Sequence, residues 1–283
     1  MHQHDHGLAH DIETMLNMTA SRRQSLRWLF ATAALPLAGC GGSDSATAAS
    51  IGATSPTTSG ETVTASSGAC AVIPEETAGP YPGDGTNNSV NGVANALILA
   101  GIVRSDIRAS IAGSTGVAQG VPLTIRLQLV NVKSSYANLA GAAVYLWHCD
   151  REGRYSMYSN GVTGENYLRG VQEADADGAV TFQTIFPGCY DGRMPHVHFE
   201  VYPSLAKATS ASNKIKTSQL GFPSATLTEA YAASGYGTSV TNLARISYAT
   251  DMVFADGTTL QIASVTGTAA QGFVATLSVG VSL

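Results

Sequence analysis

From Val121 to Leu129 the side chains alternate one by one. Leu123, Ile125, Leu127 and Leu129 fall on one face, and Thr124, Arg126 and Gln128 fall on the other. A two-residue period is that of a β-strand with one buried face, and a helix would scatter those four apolar groups around its axis. Ala143–Cys149 is apolar at almost every position, as in a strand at the centre of a sheet. Strand signals recur at 179–185, 197–201, 251–254 and 272–279, with turn residues at Asp175–Gly178 and Asp256–Gly257. One short helix is expected near 226–233. No sustained helical periodicity or internal repeat is present, so the expected fold class is all-β: a single β-sandwich over residues 70–283.

The residues before it read differently. From Gly41 to Ala69 the chain is mostly Gly, Ser, Thr and Ala, which cannot bury a core and reads as a flexible linker. Residues 1–40 read as an export signal, in which Arg22 and Arg23 precede the apolar stretch from Trp28 to Ala38. The arginine pair points to the twin-arginine route. Leu37-Ala-Gly-Cys40 resembles a bacterial lipobox, which implies cleavage before Cys40 and a lipid on its thiol. The expected location is therefore periplasmic or at the cell surface, with the membrane touched only through that lipid. His2, His4, His6 and His10 lie upstream of the cleavage point and read as part of the signal.

Charge narrows the partners. Only 12% of residues are charged and the formal net charge is -5, which argues against a nucleic-acid partner. No apolar run reaches the roughly 18 residues of a membrane span.

The chemistry concentrates in Phe186–Glu200. His196 and His198 stand one residue apart in a strand signal, so their rings project to one face. Such a pair is half of a metal site or simply two half-buried histidines on a polar face. Tyr155 leaves the polar turn after the 143–149 strand, and Tyr190 follows the 179–185 strand; each could be a rim aromatic or a ligand. Glu200 shares the histidine face, and two histidines with a carboxylate would suit an Fe(II) oxygenase. His148 reads as a structural strand histidine. Of the later cysteines, Cys70 and Cys149 are the expected disulfide pair and Cys189 the remaining thiol.

Three stretches together resemble the intradiol ring-cleavage dioxygenases, the family of protocatechuate 3,4-dioxygenase and catechol 1,2-dioxygenase. They are Trp147–Ser156, Leu168–Gln172 and Thr184–Phe199, with Thr77-Ala-Gly-Pro-Tyr81 similar to the family's N-terminal segment. The resemblance runs from about Cys70 to the C-terminus. It implies a non-haem Fe(III) held by Tyr155, Tyr190, His196 and His198, with Arg193 facing the substrate ring and Gln219 near the metal. Phenolate oxygens suit a hard trivalent ion, and coordination would favour the phenolate at neutral pH. The implied reaction is cleavage of a catechol by O2 to a cis,cis-muconate-type dicarboxylate, in which Tyr190 gives way to substrate. The chain lacks the N-terminal helical region of catechol 1,2-dioxygenases and has one family-like domain where protocatechuate enzymes pair two chains, so the catechol it takes is open and an oligomer is compatible with it. A catalytically silent lipoprotein that binds a sugar or a protein partner is the reading from a different class.

Overall fold

The computed structural model describes residues 71–283, which lie within one unit, Ser67–Leu283. The signal, the linker, Cys40 and Cys70 lie outside the described residues. Eleven strands follow in chain order among them: β1 (Asp84–Ser89), β2 (Gly92–Asn95), β3 (Pro122–Asn131), β4 (Ala137–Asn138), β5 (Ala143–Trp147), β6 (Arg169–Glu173), β7 (Ala179–Ile185), β8 (His196–Tyr202), β9 (Lys216–Gly221), β10 (Ser264–Thr268) and β11 (Gly272–Val281). Two short α-helices, α1 (Ser224–Tyr231) and α2 (Gly237–Leu243), sit between β9 and β10. None is long and apolar enough to cross a membrane.

β3 carries the alternation read from the sequence, with Leu123, Ile125, Leu127 and Leu129 buried. It is flanked by β7 antiparallel and by β11 parallel, in the register Phe273↔Leu123 through Val281↔Asn131. β10 extends this sheet beyond β11, and β4 touches the end of β3. The second sheet runs β6-β5-β8-β9, antiparallel throughout, while β1 and β2 form a hairpin of their own.

The two sheets share one core. Leu123, Ile125, Phe182 and Phe273 from the first meet Val144, Leu146, Val197, Phe199 and Leu220 from the second. Alternation then sends the other half of β5 and β8 to the opposite face: Tyr145 and Trp147, with His196, His198 and Glu200 beside them. That face is also buried, in a second cluster closed by Tyr155, Tyr202 and Leu97. A strand covered on both sides has no room for exposed polar positions, which is why 143–149 lacks an alternating pattern.

One expectation fails. Residues 251–254 are not a strand. The Asp251 carboxylate accepts the backbone N–H groups of Val253 and Phe254, at 2.8 and 3.1 Å, and this bends the chain into a turn ahead of a 3-10 segment, Phe254–Asp256. Cys149 and Cys189 are both buried, free thiols among the described residues, and the expected partner of Cys149, Cys70, lies outside them.

Candidate functional site

Three chain segments bring polar atoms to the N-terminal end of β8. His196 opens the strand and His198 follows on the same face, opposite Trp147 on β5 and Gln219 on β9. The Trp147 and His198 rings stack in parallel, with centroids 4.9 Å apart and planes within 2°. The segment before β1 also approaches His198, where a Cβ at Gly79 would stand 3.4 Å from the imidazole; Gly79 has a φ of +68°, which glycine adopts without strain. His198 is thus stacked on an indole and approached by a backbone that comes close because it has no side chain there.

The tyrosines arrive on two loops that pack backbone to backbone. The turn after β5 is wound around the buried Asp150, whose carboxylate accepts the N–H groups of Glu152 and Arg154, the Arg154 Nε–H and the Tyr167 hydroxyl. Tyr155 leaves that turn buried. The loop after β7 lies against it: a Cβ on Gly188 would come within 2.7 Å of the Asp150 and Arg151 carbonyl oxygens, and one on Gly153 within 3.0 Å of the Tyr190 Cβ. These two glycines let Tyr155 and Tyr190 point to one place.

That place is the Nε2 atom of His196. The Tyr155 and Tyr190 hydroxyls each lie 3.4 Å from it, and His198 Nε2 lies 3.0 Å from it. His196 Nδ1–H donates to the Met194 carbonyl at 2.6 Å, which leaves Nε2 as the unprotonated nitrogen. One lone pair cannot serve three polar neighbours, whereas a cation among the four atoms would satisfy them all. Burial holds the pKa values of both histidines well below the imidazole range, so both are neutral, the form that ligates. For His196 the Arg193 charge adds to burial; for His198 the His196 ring does, while the Thr77 backbone opposes without forming a well-shaped hydrogen bond. Burial, then the neighbouring Tyr190, pushes the Tyr155 phenol well above its usual value, so only a cation's field would ionise it. The two-histidine, two-tyrosine set suits a hard, highly charged metal ion. Among the described residues, no group of three or more His, Cys, Asp or Glu could hold a metal.

Arg193 lies beside this cluster, 3% exposed. Its Nη2–H donates to Gln219 Oε1 at 2.7 Å, and its Nε–H to Asp251 at 3.0 Å. Gln219 in turn donates from Nε2 to the Thr77 carbonyl at 2.9 Å. Nη1 is buried without a hydrogen-bond partner. Burial disfavours the charge, but Tyr190 and Asp251 outweigh it and keep the guanidinium protonated.

Other candidates are occupied elsewhere. Glu200 accepts from Lys214 Nζ at 2.7 Å and from the Tyr202 hydroxyl at 2.6 Å, and does not join the histidines in a metal-binding group. His148 donates from Nδ1 to the Cys149 carbonyl and accepts at Nε2 from Thr184, a satisfied core histidine. Sequence reasoning missed Asp251, Gly79 and the stacking of Trp147. Only the last had a signal, because strand pairing of 143–149 with 196–202 would have set Trp147 against His198.

Comparison with known proteins bears on the fold that carries these residues. Residues 105–224 match the family model described as Dioxygenase, a span that contains all four convergent side chains, Arg193 and Gln219. An intradiol ring-cleavage dioxygenase from Tetranychus urticae superposes with a TM-score of 0.58 at 24% identity, covering 75% of this chain and 95% of its own. The dioxygenase Tetur07g02040 gives a TM-score of 0.57 at 23% identity, with the same coverage. No curated protein matches the chain. The resemblance to intradiol ring-cleavage dioxygenases read from the sequence is borne out, and at this identity the structures speak for the fold.

Proposed function

We propose that this protein is an Fe(III)-dependent dioxygenase that opens a catechol-type ring between its two hydroxyl-bearing carbons, giving a cis,cis-muconate-type dicarboxylate that contains both atoms of O2. The observation that carries this reading is the convergence of Tyr155, Tyr190 and His198 on His196 Nε2. Those four residues would hold the iron. When bound, ferric iron would supply Lewis acidity, drawing electron density from a catecholate so that the ring can react with O2.

The chain's own residues divide the remaining work. Tyr155 is enclosed and stays in place, whereas Tyr190 is only half-buried and packs at the edge of the second cluster. Tyr190 Oη would therefore be the group that gives way to an incoming catechol, and it would take up a proton from the catechol hydroxyl. Arg193 presents Nη1–H toward negative charge that develops on the ring, a charge-directed hydrogen bond that is strong in a dry site. Gln219 fixes the guanidinium plane through Nη2. Trp147, Tyr155 and the Gly79–Tyr81 segment keep water from the histidines, with Tyr81 and Tyr155 ring centroids 5.0 Å apart.

Export by the twin-arginine route and tethering through a lipid at Cys40 would place this chemistry outside the cytoplasm. The test is a panel of catechols offered to the iron-loaded protein, followed by oxygen uptake and product mass. Addition of both oxygen atoms to at least one catechol is expected. Iron retained with no turnover on any of them would favour a silent binding protein instead.

A further inference from the structure

Arg193 is a cation buried against the cluster, and what holds it in place comes from far along the chain. Asp251 lies 58 residues beyond it in sequence and is fully buried. Its Oδ1 accepts from the backbone N–H groups of Val253 and Phe254, and its Oδ2 from the Met194 N–H at 2.6 Å. Arg193 Nε–H donates to both oxygens, at 3.2 and 3.0 Å. A carboxylate offers about four lone-pair sites, and all are engaged here. Asp251 has no capacity left to bind a metal or to carry a proton through a reaction. Its geometry suits one task, which is to hold.

What it holds follows from counting donors. A guanidinium has five N–H groups in a rigid plane. Asp251 takes Nε, Gln219 takes Nη2, and the Phe254 ring lies 6.0 Å from the guanidinium carbon. Nη1 is left buried and unmatched. Buried donors without partners are uncommon, and this one is created by two anchors that consume the other edges of the same plane. Asp251 is itself stapled by backbone amides from both the Met194 loop and the 253–254 turn, so the plane is fixed before anything binds.

We propose that Asp251 is the positioning residue of this site, acting through Arg193 by locking the guanidinium so that Nη1 alone faces the substrate. This rests on the ring-cleavage reading for its consequence in catalysis, but the lock itself is a property of the chain. The first experiment therefore uses the native, iron-free protein. The exchange of the Arg193 Nε–H with water is measured by proton–nitrogen NMR, its signal assigned by its loss in R193K. Protection of at least about 10-fold over a solvated guanidinium is expected from a buried, bonded N–H. Exchange at the solvated rate would overturn the proposal, and this measurement does not depend on whether an Asp251 variant folds.

The second experiment reads the consequence in the iron-loaded protein with D251N, R193K and the double variant. D251N is expected to keep its iron and its KM within about 2-fold while kcat falls about 30-fold, as for a buried charge pair that loses one partner. In the R193K background the same change should cost less than about 2-fold more, because its effect runs through Arg193. Losses that simply multiply would overturn the proposal. If the wild-type protein cleaves no catechol, the ring-cleavage reading fails, and the exchange measurement alone decides the role of Asp251.

Discussion

Asp251 Oδ2 lies 3.0 Å from Arg193 Nε, with both side chains out of contact with solvent. A buried ion pair contributes little net stability on average, because desolvation offsets the attraction, so its worth here lies in geometry. It turns a flexible side chain into a fixed plane whose Nη1 is buried without a hydrogen-bond partner.

Replacing Arg193 by Met removes that donor. The iron content is expected to stay within the wild-type range, since Arg193 is not among the four convergent residues. The kcat should fall by about 100-fold or more, as when a preorganised donor to developing charge is lost. Metal analysis together with steady-state oxygen uptake checks both halves.

Trp147 offers a spectroscopic report on the site. Its ring lies flat on His198, 4.9 Å away, and the only other tryptophan in the sequence is Trp28. Loading Fe(III) should quench most of the Trp147 emission, because an open-shell ion bound to the stacked imidazole offers a fast route out of the excited state. In W147F the change on loading should largely disappear. Equal quenching in W147F would mean that the ion binds elsewhere.

Glu200 tests the competing two-histidine, one-carboxylate site. Its carboxyl is raised to about 7 by burial, and it is engaged by Lys214 and Tyr202. E200A is expected to bind iron with unchanged stoichiometry, although its stability should fall because Lys214 and the Tyr202 hydroxyl lose their partner. Loss of the metal in E200A, with the fold intact by circular dichroism, would revive that alternative.

His148 makes stability depend on pH. Burial lowers its pKa to about 4, against roughly 6.5 in an unfolded chain. Below about pH 6.5 the unfolded state takes up a proton that the native state refuses, so stability falls as the pH drops toward 4. The full difference corresponds to about 3 kcal/mol at 1.36 kcal/mol per unit. Urea denaturation at pH 7 and pH 4.5 should show a smaller loss in H148Q than in the wild type.

How much of this was legible in the sequence depends on distance along the chain. The alternation of β3 and the shared face of His196 and His198 are local, and local periodicity carries them; the helix expected near 226–233 runs Ser224–Tyr231. Glu200 also alternates onto the histidine face, but alternation says nothing of Lys214, which claims it. Asp251-Met-Val-Phe254 has the pattern of a strand and is a turn, because what decides it is a carboxylate that caps its own backbone and grips Arg193 from 58 residues away. The parallel pairing of β3 with β11 joins distant parts of the chain, and no short-range pattern encodes it. The β1–β2 hairpin was missed because β1 reads Asp-Gly-Thr-Asn-Asn-Ser, with no apolar face.

The central claim is that Tyr155, Tyr190, His196 and His198 together hold ferric iron. The most direct measurement is the visible spectrum of the iron-loaded protein beside its Y155F and Y190F variants, with iron counted in each. A tyrosinate-to-Fe(III) absorption band is expected in the wild type, weakened in Y190F and in Y155F, with iron lost more readily from both variants. A colourless wild-type protein after iron loading, or a band indifferent to both substitutions, would contradict the account.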